Sequence, residues 1–171
     1  MACNQTLSGL AKDCSTSKGG ILEVYIANHE DVTAIADESG KVTTITMASS
    51  KKFKRYHVNK NTCSMNSTYN LDQAAGVRYV QTDLVLNFTR METSKRIEMT
   101  ALAMNDLIVI VRDANNVFWL LGKDEPVNAS TGTAESGTQR TDRNGYSITL
   151  QDNSDEMPFE VAEGIIEGLV D

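Results

Sequence analysis

The chain has 171 residues, 40% of them hydrophobic, with two prolines and 11 glycines, the size of a single domain with a sizeable core and little room for a disordered linker. Its formal net charge of −7 counts against a dedicated nucleic-acid binder, which carries a basic face, and suits a protein that must resist sticking to DNA. No run approaches the ~20 apolar residues of a membrane helix. The polar start (Asn4, Gln5, Lys12, Asp13, Lys18) lacks a signal-peptide core, so a product made in a cytoplasm and not exported by that route is expected.

Residues 1–20 read as a polar N-terminal arm. The first strand follows Gly19-Gly20 over Ile21 to Ala27. After the turn cluster Asp37 to Gly40, the β-branched run Lys41 to Met47 is a strand. Lys52 to Val58 is an edge strand, its lysines discouraging stray pairing. The longest strand runs from Val77 to about Met91. Val80, Leu84, Leu86 and Phe88 fall on a buried face, and Tyr79, Gln81, Asp83, Asn87 and Thr89 on a wet one, by the period of two.

The rhythm changes over Thr93 to Asp106. Ile97, Ala101 and Met104 recur at helical spacing behind a Thr93 or Ser94 cap, which predicts one helix. Leu107 to Val111 and Val117 to Leu121 flank the turn Asp113-Ala114-Asn115-Asn116 and are apolar on both faces. They predict a central, covered hairpin containing a core Trp119, with the helix as its lid. Residues 123–144 read as a long polar loop leading to a last strand, Tyr146 to Gln151. In the tail, Phe159 and Val161 suggest a strand and Ile165, Ile166 and Leu169 a short helix. The architecture expected is a mainly antiparallel β-sandwich or partial barrel with one flanking helix.

Motifs for chemistry are scarce. Gly132 and Gly137 have the spacing of a phosphate loop, but Thr138 stands where the lysine belongs and a strand follows instead of a helix. His29 and His57 lie in no metal-binding pattern. Nothing requires Cys63 and His57 to meet as a nucleophilic pair. Asp72 to Gly76 and Asp152 to Glu156 lack the twelve-residue calcium layout. Cys3, Cys14 and Cys63 form neither a CxxC pair nor an even set, so reduced thiols are expected, a Cys3–Cys14 bridge being the alternative. The basic run Lys51 to His57, interleaved with aromatics, would suit nucleic acid. In so acidic a chain it reads better as an edge strand whose lysines snorkel or pair with an acidic neighbouring subunit. No catalytic, cofactor or metal site is expected.

Two stretches, GGILEVYIAN (Gly19 to Asn28) and FWLLGKDEPVNASTGTAESGTQRTDRNGYSITL (Phe118 to Leu150), carry a resemblance. An LLGK-like strand end, a loop with a G-T-x-x-x-G-T core and a D-x-x-G-Y strand start are similar to those of virion structural proteins from tailed phages and prophages of gut Bacteroidetes, read as tail tube proteins. The resemblance implies a non-enzymatic β domain that self-associates into rings, usually hexameric, stacked into a tube through which phage DNA passes without specific binding. Other tail or neck proteins would be its partners, with no membrane involved, and the virion tail its location. On this reading Tyr79, Gln81, Asp83, Asn87 and Thr89 face the lumen. Gly132, Thr133, Gly137, Thr138, Arg140 and Asp142 make contacts between rings in a loop ordered on assembly. The alternatives are another virion part (neck, tail terminator or head decoration) or a small β-rich binding module.

Overall fold

The computed structural model describes residues 6–171. The chain is mainly β, with two sheets and two helices. The seven-stranded sheet has the order β2-β3-β11-β8-β7-β1-β4. Its members are β1 (Ile21–Asn28), β2 (Val32–Glu38), β3 (Lys41–Met47), β4 (Lys54–His57), β7 (Leu107–Asp113), β8 (Phe118–Leu121) and β11 (Phe159–Val161). The four-stranded sheet has the order β5-β6-β10-β9, from β5 (Ser64–Asp72), β6 (Val77–Thr89), β9 (Asn128–Glu135) and β10 (Gly145–Ser154). The helices are α1 (Thr93–Met104) and α2 (Glu163–Leu169).

The sheets pack face to face. Val24, Ile26, Leu107, Val109 and Val111 from one meet Leu84, Leu86, Ile148 and Leu150 from the other in a single buried cluster. Alternate residues of the same strands, Tyr25, Ala27, Ile108 and Ile110, enter a second cluster with Val42, Ile166, Leu169 and Val170. This is why β7 reads as unbroken apolar sequence: it is buried on both faces. Asp113 closes the β7–β8 turn, its Oδ1 accepting from the Asn115 and Val117 amides at 2.8 and 3.0 Å.

Several expectations change. The lid over the outer face of β7 and β8 is α2, while α1 packs on β9 and β10; the tail of the chain thus holds both a strand and a helix. The buried stripe of α1 is Met99 and Leu102, whereas Ile97 and Met104 are 56% and 80% exposed. Six apolar positions in twelve residues support more than one stripe, and the sheet beneath selects one. Its N-cap is Glu92, with no side-chain cap bond. Trp119 is half-buried, its Nε1–H donating to Asp113 Oδ2 at 3.1 Å. The reading of residues 123–144 as one loop is also corrected, because 128–135 form β9. Threonines favour the extended backbone; Thr131 and Thr133 pair in register with Thr149 and Ser147. An edge strand of small polar residues simply lacks the apolar alternation that marks a half-buried strand.

Candidate functional site

The outer face of the four-stranded sheet gathers the chain's most uniform surface. Register carries it across all four strands. Tyr79, Gln81, Asp83, Val85 and Asn87 on β6 oppose Asn70, Thr68, Asn66 and Ser64 of β5 on one side. On the other they oppose Asn153, Gln151, Thr149 and Ser147 of β10, which in turn face Asn128, Thr131 and Thr133 of β9. Asp83 is the one charge in this set. It accepts from Gln81 Nε2 at 3.2 Å and from Gln151 Nε2 at 3.1 Å. Asn87 donates to the Thr62 carbonyl, and Thr89 ends the row under the Lys95 ammonium, which donates to its carbonyl at 2.6 Å. The five residues singled out on β6 therefore share one face. The polar positions of β5, β9 and β10 were not singled out with them, although Ser64, Asn66, Thr68 and Asn70 alternate in the sequence with the same period of two.

The edges of the sheet matter as much as its face. β5 and β9 are its two outermost strands and pair with no further strand among the described residues. Each is uncharged up to its last residue, Asp72 or Glu135, and neither contains proline or lysine, the usual guards of an edge. One irregularity, beside Ser130, interrupts the β9–β10 register. The seven-stranded sheet treats its edge at β4 differently. The C-terminal segment pairs with the residue that leads into it, the Phe53 amide bonding to the Leu169 carbonyl at 2.9 Å and a bridge joining Phe53 to Val170. Here the basic run finds its acids within the chain: Lys51 lies 3.4 Å from Asp31, and Lys54 pairs with Asp171.

The residues assigned to an inter-ring loop divide. Gly132 and Thr133 belong to β9. Gly137, Thr138, Arg140 and Asp142 lie in the following loop, which carries hydrogen bonds of its own within the single chain. Asp142 Oδ2 accepts from the Thr138 and Gln139 amides at 2.9 and 2.8 Å, and those bonds hold its carboxyl below the ordinary range. Gly137 has φ +71°, and a Cβ there would stand 2.8 Å from that of Asp142, so only glycine fits. Arg140 is exposed.

Elsewhere one cluster of titratable groups is mutually engaged. A groove of about 560 Å³ holds Glu23, Tyr25, Arg55 and Arg112. The Tyr25 hydroxyl and Arg112 Nη1 donate to Glu23 Oε2 at 2.6 and 3.1 Å. Burial opposes ionisation of Glu23, but these bonds and the Arg55 charge outweigh it and lower its pKa. Burial and the Glu23 acceptor raise that of Tyr25. A carboxylate held ionised beside a phenol held neutral is a structural pair, poorly matched to proton transfer near neutrality. Cys63 is buried and His57 exposed. Cys14 and Cys63 are free thiols, and Cys3 lies outside the described residues. Among the described residues no three His, Cys, Asp or Glu side chains gather to hold a metal, and no helix is long and apolar enough to cross a membrane.

One buried acid stands apart. Asp152, on the core face of β10 beyond Leu150, is 2% exposed. Burial drives its pKa up to about 6, against the bond from the Gly122 amide and with help from Asp124 and Glu125. Its Oδ1 has no partner among the described residues.

Comparison with protein-family models, with curated proteins and with solved structures finds no match.

Proposed function

We propose that this chain is a virion structural protein of the tail-tube kind, working by self-association into rings that stack around a conduit for DNA. The observation that carries this reading is the four-stranded sheet, with its mostly uncharged polar outer face and two edge strands without proline or lysine. Successive antiparallel pairing along β5-β6-β10-β9 leaves β5 and β9 running in opposite directions. The β5 edge of one copy therefore meets the β9 edge of the next in antiparallel register under a rotation about an axis along the strands. That is a heterologous contact, which closes into a ring when the rotation closes, and the edges cease to be a hazard. The closed sheet would turn its Ser, Thr, Asn and Gln face inward. Such a wall is wet and offers phosphates no cation in its middle; its carboxylates, Asp83 in the centre with Asp72 and Glu135 at the strand ends, repel them weakly. The resemblance of the two quoted stretches to tail proteins supports the same assignment.

Blocking each edge separately tests the pairing. Thr131→Lys with Thr133→Lys charges β9, and Asn66→Lys with Thr68→Lys charges β5. Each pair is expected to leave a folded monomer, because pairing would desolvate the new charges. An equimolar mixture of the two variants retains one intact β5 edge and one intact β9 edge, so it should give a discrete dimer by light scattering. Rings persisting in both variants would refute the edge contact.

A further inference from the structure

α1 buries one face and leaves the opposite one bare. Met99 and Leu102 enter the core between the sheets. Ile97 and Met104, seven residues apart and so on one side of the helix, are 56% and 80% exposed. The helix lies over the core side of β9. Its first turn is beside Tyr146, whose hydroxyl donates to the Glu92 carbonyl at 3.5 Å, and just past its last turn Asp106 accepts from Asn128 Nδ2 at 2.6 Å. It thus runs along the edge strand, antiparallel to it, with the bare stripe pointing away from the core it covers.

A second bare apolar row sits on the other edge. The core-facing side of β5 carries Met65, Ser67, Tyr69 and Leu71. Met65 packs on the core, but the β5–β6 hairpin runs past the last residue paired to β10, Ser154 opposite Val80. Tyr69 and Leu71 are therefore 51% and 65% exposed. One chain cannot bring its own two rows together. β5 and β9 are opposite edges of one sheet with β6 and β10 between them, about 14 Å apart at the usual strand spacing. Edge pairing between copies does bring them together: β5 of one copy continues the sheet beyond β9 of the next, and both rows lie on its core side.

We infer that α1 clamps the neighbouring copy, its Ile97 and Met104 packing on Tyr69 and Leu71 of the β5 that pairs with β9. Two registers cover the whole of β9 and keep core row beside core row. They set Tyr69 opposite Ala129 or Gly132, small residues that leave the larger side chain room to meet the helix. Tyr69 is level with Val80 in its own copy, and Ala129 and Gly132 with Leu84 and Leu86, so successive copies are staggered by about four to six residues. Over four strands that stagger tilts them about 35–45° from the ring axis, the tilt of closed sheets. Charge agrees with this partner: Arg96 stands exposed beside Ile97, and Asp155 and Glu156 outnumber Arg78 beside Tyr69. The inference rests on the edge-pairing reading and adds the helix to that contact.

The test follows ring formation against concentration by light scattering. Ile97→Asp with Met104→Asp alters no residue of either edge, and both side chains are exposed, so circular dichroism should report an unchanged fold. The concentration needed for rings should rise at least about tenfold, and Tyr69→Asp with Leu71→Asp should raise it similarly. Rings from the folded helix variant at the wild-type concentration would overturn the helix contact and leave the edge contact standing. Wild-type protein that never forms rings would overturn both. Placement is read separately, with single cysteines in a Cys3→Ser/Cys14→Ser background. Protein carrying Met104→Cys is mixed with protein carrying Leu71→Cys, and a short bismaleimide joins one thiol at each end. A covalent heterodimer is expected, and it should vanish when the Met104→Cys chain also carries Thr131→Lys with Thr133→Lys. No heterodimer from assembled rings refutes the placement of α1 on β5. A heterodimer that survives the edge substitutions refutes a seam shared by helix and strand.

Discussion

Asp152 makes the stability of this fold depend on pH in a direction opposite to most paired carboxylates. Its acid form is favoured in the folded chain, with a pKa of about 6 against 3.8 for an unperturbed aspartate. Between those values Asp152 binds more protons in the folded than in the unfolded state, so its contribution to stability is greatest below pH 4 and is lost as pH rises through about 6. A difference of about two pKa units corresponds to about 3 kcal/mol lost across that window. Asp152→Asn removes the titration. Its carbonyl still accepts from the Gly122 amide, while its amide group adds a buried donor at the position of the unpartnered Oδ1, so the slope decides more than the absolute value. Chemical denaturation of both proteins from pH 4 to 8 measures it. The difference in unfolding free energy, variant minus wild type, should grow by about 2 kcal/mol over the series. A difference independent of pH would refute the burial argument.

Asp83→Lys should change stability by less than about 1 kcal/mol, since the side chain is half-buried on an open face, yet it places a cation on the proposed wall. Thermal melts should be nearly unmoved while particles carrying it eject DNA more slowly; unchanged ejection from assembled particles would count against the lumen assignment. Gly145→Ala puts a methyl 2.0 Å from the Phe88 carbonyl oxygen, forcing β6 and β10 apart. A loss of more than about 2 kcal/mol is expected from denaturant curves, and a melt equal to wild type would show that the strands tolerate the shift. Gly137→Ala meets both a positive φ and the Asp142 side chain, and should loosen the 136–144 loop to limited proteolysis without unfolding the sandwich. Unaltered cleavage would mean the loop conformation is not set there.

The parts of the fold legible in the sequence are those where burial writes a period. β6 alternates because one face is core and the other water, and β7 is uniformly apolar because both faces are covered. The sites that escaped reading are those where burial is weak or supplied from far away. β9 is small and polar because it is an outer strand, so Gly132 and Thr133 looked like loop. β5 is hidden for the same reason: most of its residues are polar and follow the pattern of a connection. The stripe of α1 was ambiguous because the helix carries more apolar residues than it buries. The pairing of Lys51 and Lys54 with Asp31 and Asp171 joins segments distant in the chain, which no local pattern records. The polar face of β6 was visible, but its extension over three more strands required their register.

Wild-type protein examined by negative-stain microscopy and multi-angle light scattering, over a range of concentrations and salt, puts the central claim to the most direct test. The edge-paired sheet predicts closed rings, and stacks of them as concentration rises, with a central hole bordered by the four-stranded sheets. A mass of one chain under every condition tried would contradict it.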